Sequence, residues 1–175
     1  MRIHSERVTS ILRKIGLNDD KGYAVAIFLA LIIVAAVVAG YYLVLKPQPE
    51  PYSTIYLLDT QQKAVDYPVT LVVNQNSTFN IWIGVVNHMG GNVNQSFQVL
   101  VKITPNLSDV PVNTEPIHTY NISLADGNTP WQTLATISQN QVGSYSIVFE
   151  LWLKNLAGVY EFTHNFAVLN IQVIS

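Results

Sequence analysis

The stretch GSYSIVFELWLK, residues 143–154, alternates apolar and polar side chains with a period of two. The apolar members all fall on one side of an extended chain: Tyr145, Ile147, Phe149, Leu151 and Leu153. The other side carries Ser146, Glu150 and Lys154. Because successive side chains of a β-strand point to opposite faces, this pattern predicts a strand with one buried and one solvated face.

The same alternation recurs on both sides of this stretch, for example in residues 97–103 and 120–124. Turn residues separate the β-rich runs, as in His88-Met89-Gly90-Gly91-Asn92 and in the segment from Pro105 to Pro116. We predict strands near residues 54–58, 69–73, 78–87, 95–104, 117–124, 131–137, 144–154 and 159–173. Seven or eight such strands indicate an immunoglobulin-like antiparallel β-sandwich, although the chain has no cysteine for the usual inter-sheet disulfide.

Upstream of the strands, residues 23–45 contain no charged residue and no Asn, Gln, Ser, Thr or Pro. As a helix, these residues would span about 34 Å at 1.5 Å per residue, which is enough to cross a bilayer. Lys21 and Lys46 bracket the segment, and Tyr41 and Tyr42 suit the headgroup level. The sequence therefore predicts a single transmembrane helix, with the lipid bilayer as a partner.

The basic residues predict the orientation of this helix. Five precede it and one, Lys46, follows directly, so the positive-inside rule places the N-terminus in the cytoplasm and the β-domain outside the plasma membrane. In the tail, Val8, Ile11, Leu12 and Ile15 have the spacing of a basic amphipathic helix on the inner leaflet. The predicted organisation is tail 1–22, transmembrane helix 23–45, proline-rich spacer 46–52 and extracytoplasmic sandwich 53–175.

Two kinds of processing compete with a permanent anchor. A signal peptidase site at Val37-Val38-Ala39 would interrupt an apolar run that is longer than a signal peptide needs. Lys21-Gly22, directly before the helix, resembles the processing site of archaeal type IV pilin precursors, whose exposed helix packs into a filament core. The choice between an anchor and a filament subunit stays open at this point.

Several short motifs in the exported region resemble one family. They are Tyr56-Leu57-Leu58 through Asp66-Tyr67-Pro68, then Val85-Val86-Asn87-His88, then Gly143-Ser144-Tyr145 leading into Phe149-Glu150-Leu151. This pattern resembles the archaeal domain of unknown function 1616 over most of residues 50–173. The resemblance implies an archaeal membrane-associated protein with an uncharacterised β-domain. This chain differs in having one membrane helix instead of several, and in Met89 where an acidic residue often follows the Asn-His pair, so no role is transferred to Asn87 or His88.

Four sequons fit the N-glycosylation rule, and they begin at Asn76, Asn94, Asn106 and Asn121. Asn76 and Asn106 fall in predicted turns, and the other two fall on the polar side of their strands. The exported topology would make these acceptors reachable, so we predict modification at one or more of them, with Asn76 and Asn106 the leading candidates.

The chain lacks the sequence signs of catalysis, metal binding or nucleic-acid binding. The exported histidines, His88, His118 and His164, are too far apart for a short metal motif, and no serine lies in a nucleophile elbow. Residues 46–175 contain four lysines, no arginine and eight acids, which gives no basic surface for phosphates. We expect neither an enzyme nor a bound cofactor.

Trp82 and Trp152 fall on the nominally outer side of their strands. They are either half-buried under loops or part of an exposed aromatic patch for a partner. We therefore expect a structural or interaction module that docks other envelope or surface-layer proteins. The alternatives are a pilin-like filament subunit, which would assemble with copies of itself, and a solute- or sugar-binding domain with a concave pocket.

Overall fold

A computed structural model describes residues 20–45, 50–91, 94–127 and 129–175. The chain divides into two compact units, Met1–Pro49 and Glu50–Ser175. The predicted amphipathic helix at residues 8–15, most of the proline-rich spacer, and Asn92 lie outside the described residues.

The first unit contains one long helix. Helix α1 spans Asp20–Gly40, and the wider π-helical turn Tyr41–Leu45 continues it. The stretch Gly22–Val44 is long and apolar enough to cross a membrane. Its large apolar side chains are exposed on all sides of the helix, Phe28 to 65% and Val37 to 67%. A helix that is apolar all round needs an apolar environment such as lipid or other helices.

The second unit is a sandwich of eight strands. They are β1 Tyr52–Leu58, β2 Thr70–Val72, β3 Thr78–His88, β4 Gln95–Thr104, β5 His118–Leu124, β6 Trp131–Ser138, β7 Gly143–Lys154 and β8 Tyr160–Ile174. Each predicted strand is confirmed with its ends moved by no more than two residues. The alternation that located the strands also fixes which side chains point inward.

The strands form two sheets, a three-stranded sheet of order β1-β3-β6 and a five-stranded sheet of order β2-β8-β7-β4-β5. All pairings are antiparallel except that of β2 with β8. β1 begins at what we call the N-terminal end of the sandwich and ends at the distal end. The predicted immunoglobulin-like antiparallel β-sandwich is confirmed, except that the short edge strand β2 pairs in parallel.

The core lies between the inner faces of the two sheets. Fully buried residues from both sheets fill it: Ile81, Ile83 and Val85 from β3, Phe97, Val99 and Val101 from β4, Ile137 from β6, and Ile147, Phe149 and Leu151 from β7. At about 25 cal/mol per Å² of apolar surface, each such side chain contributes about 1.5–3 kcal/mol of transfer free energy. This apolar core is the main stabilising element of a domain that has no disulfide.

The prediction that the outer side of each strand is solvated is wrong for the middle of the five-stranded sheet. Lys102 and Glu150 point outward, as the alternation requires, but only 6% and 0% of their surfaces are exposed. The segment 105–117 between β4 and β5, which we call the strap, covers them with Val112. Turn residues in the sequence predicted a loop in this segment. The alternation of side chains along a strand, however, does not indicate whether a distant loop folds back over the sheet.

Candidate interaction surfaces

The strap is fastened to the five-stranded sheet by an ion pair. Lys102 Nζ lies 3.1 Å from Glu150 Oε2 and donates a hydrogen bond of 2.6 Å to the carbonyl oxygen of Val112. The backbone N–H of Val112 donates to Glu150 Oε1 at 2.6 Å, and Trp152 Nε1 donates to Glu150 Oε2 at 3.0 Å. Every polar group of the cluster therefore has a partner, as a buried charge pair requires. The arrangement is structural, since both charges are used to hold backbone.

Next to the strap, the outer face of the five-stranded sheet carries an aromatic row. Trp152 on β7 lies opposite Phe162 on β8, with ring centroids 5.5 Å apart, and Phe162 lies 6.4 Å from Phe166. Phe166 is 46% exposed. Trp152 itself is half-buried, because its indole N–H points inward to the carboxylate of Glu150. The exposed part of the Trp152 indole belongs to the outer surface, while its N–H group helps to hold the strap through Glu150.

The outer face of the three-stranded sheet has a different character, and we call it the charge-free face. β1, β3 and β6 contain no Asp, Glu, Lys or Arg. Its outward residues form rows across the three strands: Tyr56, Gly84 and Gln132 in one row, Leu58, Trp82 and Leu134 in the next, and Asn80 with Thr136 in a third. Thr136 Oγ1 donates to Asn80 Oδ1 at 2.8 Å.

One tyrosine lies across the charge-free face. The Tyr56 hydroxyl accepts a hydrogen bond of 2.8 Å from Gln132 Nε2, although β3 lies between their two strands. The phenol passes over Gly84, where a Cβ would lie only 2.1 Å from Tyr56 Cζ. Glycine is therefore required at position 84 for the ring to lie over the backbone. The contact fixes both the place and the orientation of the ring.

The two tryptophans selected from the sequence do not form one patch. Trp82 lies on β3 of the three-stranded sheet, and Trp152 lies on β7 of the five-stranded sheet, so the core separates them. Both are half-buried. Trp82 is flanked by Leu58 and by Leu134, which is 43% exposed. Each tryptophan belongs to a separate outer surface.

Shallow clefts border these surfaces. One of about 270 Å³ is lined by Asp59, Asp66, Asn80 and neighbouring residues, at the distal side of the charge-free face. Another of about 360 Å³ lies at the N-terminal end, beside Tyr52 and Met89. These volumes are at or below the lower end of the range of about 300–1,000 Å³ that is usual for small-molecule pockets. Broad faces are therefore better candidates for recognition than the clefts alone.

The residues that carry the family resemblance have structural roles in this fold. Asp59 Oδ1 accepts hydrogen bonds of 2.8 Å from the N–H groups of Gln61 and Lys63, which closes the turn after β1. The Tyr67 hydroxyl donates to the carbonyl oxygen of Leu57 at 2.8 Å. Each of these motif residues therefore holds a loop against the sandwich.

Asn87, another residue of these motifs, connects the two sheets at their N-terminal end. Its side chain is completely buried. Nδ2 donates to the carbonyl oxygen of Leu124 on β5 at 2.9 Å, and Oδ1 accepts from the N–H of Met89 at 3.0 Å. The N–H of Gly127 donates to the Asn87 carbonyl oxygen at 3.0 Å. An asparagine at this position satisfies a backbone donor and a backbone acceptor at once.

The four sequon asparagines are all exposed. Asn76 lies in the turn before β3 and Asn106 at the start of the strap, both at the distal end. Asn94 directly precedes β4, at the opposite end. Asn121 lies on the edge strand β5, and its Oδ1 accepts a hydrogen bond of 2.8 Å from Gln98 Nε2. Glycosylation of Asn121 would require this hydrogen bond to break. The side chains of Asn76, Asn94 and Asn106 are exposed and therefore accessible to a glycosylating enzyme.

The three histidines of the sandwich lie in different places. His88 ends β3 beside Tyr52, His118 begins β5 with Nε2 2.8 Å from the carbonyl oxygen of Thr136, and His164 lies at the irregularity in β8 beside Phe162. In the part of the chain that the structure describes, no three His, Cys, Asp or Glu side chains come together as a metal site.

One tyrosine has a perturbed acidity. Partial burial raises the pKa of Tyr120, which faces inward from β5 at the open side of the sandwich. Its ring centroid is 5.8 Å from that of Trp131 on β6. The two aromatic side chains close this edge of the core, and burial of the ring disfavours the phenolate.

The candidate processing site lies at the beginning of the helix. Lys21 and Gly22 fall in the first turn of α1, and Tyr23, the residue that cleavage would expose, is 63% exposed.

Sequence reasoning did not select Tyr56, Gly84 or Gln132 as functional residues. Their arrangement depends on which strands become neighbours, and no local motif encodes the order β1-β3-β6.

No protein-family model matches the chain, and no curated protein matches it. Among solved structures, the crystal structure of a CARDB domain from Pyrococcus furiosus, in complex with di-metal ions, is 16% identical over 73% of this chain and 95% of its own length, with a TM-score of 0.47. A solution NMR structure of that domain is 19% identical over 73% and 98%, with the same TM-score of 0.47. A cohesin module of a Clostridium perfringens family 33 glycoside hydrolase is 12% identical over 72% and 98%, with a TM-score of 0.38. These values give no basis for transferring a ligand or an activity.

Proposed function

We propose that this chain is a membrane-anchored cell-surface interaction module, which uses the charge-free face to dock other envelope components. A soluble monomeric domain normally disperses charged residues over its surface, whereas an uncharged face with aromatic and aliphatic side chains is typical of a recognition surface. The observation that carries the proposal is a three-stranded sheet without a single Asp, Glu, Lys or Arg, which presents Trp82 and Leu134 outward.

The anchor is the apolar helix. Gly22–Val44 has the length and composition of a membrane span, and its large apolar side chains are exposed. The five basic residues that precede it favour a cytoplasmic N-terminus and an external sandwich. In this orientation Asn76, Asn94 and Asn106 are accessible acceptors for N-glycosylation. The sequence resemblance supports assigning the sandwich to the domain of unknown function 1616.

Two measurements on intact cells test the topology. Protease added outside should remove the sandwich, and a cysteine introduced at Asn76 should react with a thiol reagent that does not cross membranes. A cysteine in the tail, for example at Ser5, is the matched control and should stay unlabelled until the cells are opened. Protection of the sandwich, or labelling of the tail in intact cells, would contradict an external domain.

A photo-crosslinking residue tests the docking face. We would place it at Leu134, which is 43% exposed on the charge-free face, and at Leu156, fully exposed at the tip of the β7–β8 turn, as the control. We expect irradiation in native membranes to give a discrete adduct with an envelope component from position 134 only. Equal labelling from both positions, or none from 134, would refute docking through this face.

A filament subunit is the second candidate. It is favoured by Lys21-Gly22 directly before a helix whose apolar side chains are exposed on every side, because copies of that helix could cover one another in a filament core. N-terminal sequencing of the native protein separates the two functions. A mature protein that begins at Tyr23 selects the filament, and a retained tail selects the anchored module.

A further inference from the structure

The Tyr56 ring presents one face outward. The ring crosses Gly84, and its hydroxyl is held by Gln132 on the far side, so the backbone of β3 lies beneath it. A ring in this position turns one π-face to the sheet and the other to solvent. The solvent-side face carries the negative part of the aromatic quadrupole, which attracts the weakly positive C–H groups of a ligand.

A second apolar row lies directly beside this ring. Trp82 lies two residues before Gly84 on β3, which is about 7 Å on a strand. Leu58 and Leu134 flank Trp82 in register. Two aromatic side chains therefore lie on neighbouring rows of the outer face, and we call them, with Leu58 and Leu134, the platform, which a chain of linked rings could follow.

The chemistry of the face selects among partners. An anionic partner would lose its hydration against three strands that carry no Lys or Arg, at a cost that only pairing could offset. A purely apolar partner would leave unpaired the remaining donors and acceptors of Gln132, Asn80 and Thr136. A partner with apolar C–H faces and uncharged hydroxyl groups matches both the rings and the polar border.

We infer that the charge-free face binds uncharged glycan chains on neighbouring envelope glycoproteins, with Tyr56 and Trp82 stacking on the sugar rings. This inference rests on the proposed docking function and names the chemistry of its partner. At the distal side of the platform, the cleft of about 270 Å³ places Asp66 and Asn80 where their oxygens can accept hydrogen bonds from sugar hydroxyls. A ligand following the platform would end in this cleft.

The test uses the full-length protein in a zwitterionic detergent without a sugar headgroup. Isothermal titration with glucose and mannose hexasaccharides measures binding of neutral glycans, and a galacturonate hexamer is the charged counterpart. We expect a neutral hexasaccharide to bind at least tenfold more tightly than the charged one. Equal binding of the two, or no binding of either neutral probe by the wild type, would overturn the inference.

Variants assign the binding to the platform. Tyr56→Ala and Trp82→Ala should each weaken binding at least tenfold, and Gly84→Ala should do the same because it displaces the ring of Tyr56 without removing it. Tyr56→Phe keeps the ring over Gly84 and should stay within about threefold of the wild type. Near-ultraviolet circular dichroism and the urea midpoint establish that each variant is folded before it is titrated.

A control on the opposite sheet separates stacking on this face from general aromatic binding. Phe166→Ala removes the most exposed ring of the other aromatic row and should leave binding unchanged. If Phe166→Ala weakens binding and Trp82→Ala does not, the inference is refuted. If no glycan binds but position 134 still crosslinks to a protein surface, the docking function stands and its partner is a protein.

Discussion

The buried ion pair allows the sharpest test of the fold. Replacing Lys102 by Met keeps an unbranched apolar stem of nearly the same length and removes the charged amino group. The carboxylate of Glu150 would then remain completely buried, with only the neutral donors of Val112 and Trp152. Breaking a buried pair in this way costs about 3–5 kcal/mol, a large part of the 5–15 kcal/mol that a domain of this size has.

Urea unfolding of the full-length protein in detergent, followed by tryptophan fluorescence, measures this cost. With a slope of about 1.5 kcal/mol per molar urea, Lys102→Met should lower the midpoint by about 2–3 M. The double variant Lys102→Met with Glu150→Gln removes both charges and retains an amide for the strap. It should be more stable than the sum of the single variants predicts, by about 2–3 kcal/mol.

Lys63→Met is the matched control. Its amino group donates an exposed hydrogen bond of 3.3 Å to Gln61 Oε1, so its loss should change the unfolding free energy by less than about 0.5 kcal/mol. A cost of less than about 1 kcal/mol for Lys102→Met, or additivity in the double variant, would show that the strap is not held by this pair.

Three further predictions concern the same unfolding measurement. Asn87→Leu leaves the half-buried Leu124 carbonyl and Met89 N–H without their side-chain partner and should cost about 1–3 kcal/mol; an unchanged midpoint would contradict its role in joining the sheets. Gly84→Ala should cost about 1–3 kcal/mol through the clash with Tyr56, and adding Tyr56→Ala should recover part of it. Because burial raises the pKa of Tyr120, the folded state holds that proton more tightly, so the contribution of Tyr120 to stability should be constant below about pH 10 and should fall as the pH rises further; Tyr120→Phe should reduce this alkaline loss.

Much of the secondary structure follows from local alternation. In residues 143–154 the alternating apolar side chains must all lie on one buried face. A shift of the strand register by one residue would expose all of them, so the local pattern specifies both the strand and its inward face. The apolar run of residues 23–45 also predicts a helix locally, because a single segment in lipid satisfies its own backbone polar groups only as a helix. These features depend on neighbours a few residues apart.

The surfaces depend on neighbours far apart in the chain. Lys102 and Glu150 have the pattern of solvated residues, and they are buried only because the strap folds back over them from another part of the chain. Trp82 and Trp152 have equivalent positions in their strands, and only the strand order separates them onto opposite faces. In the same way, Tyr56, Gly84 and Gln132 meet through the pairing of three strands.

The sequence by itself determined the eight strands, their inward faces, the apolar helix and the exposed sequons, because each of these follows from side-chain periodicity or composition within one segment. The tertiary structure decided which outward side chains remain exposed to solvent, which are covered by the strap and which combine into the charge-free face. The physical reason is that an outward position specifies only a direction, whereas burial and recognition depend on what the rest of the chain places in that direction.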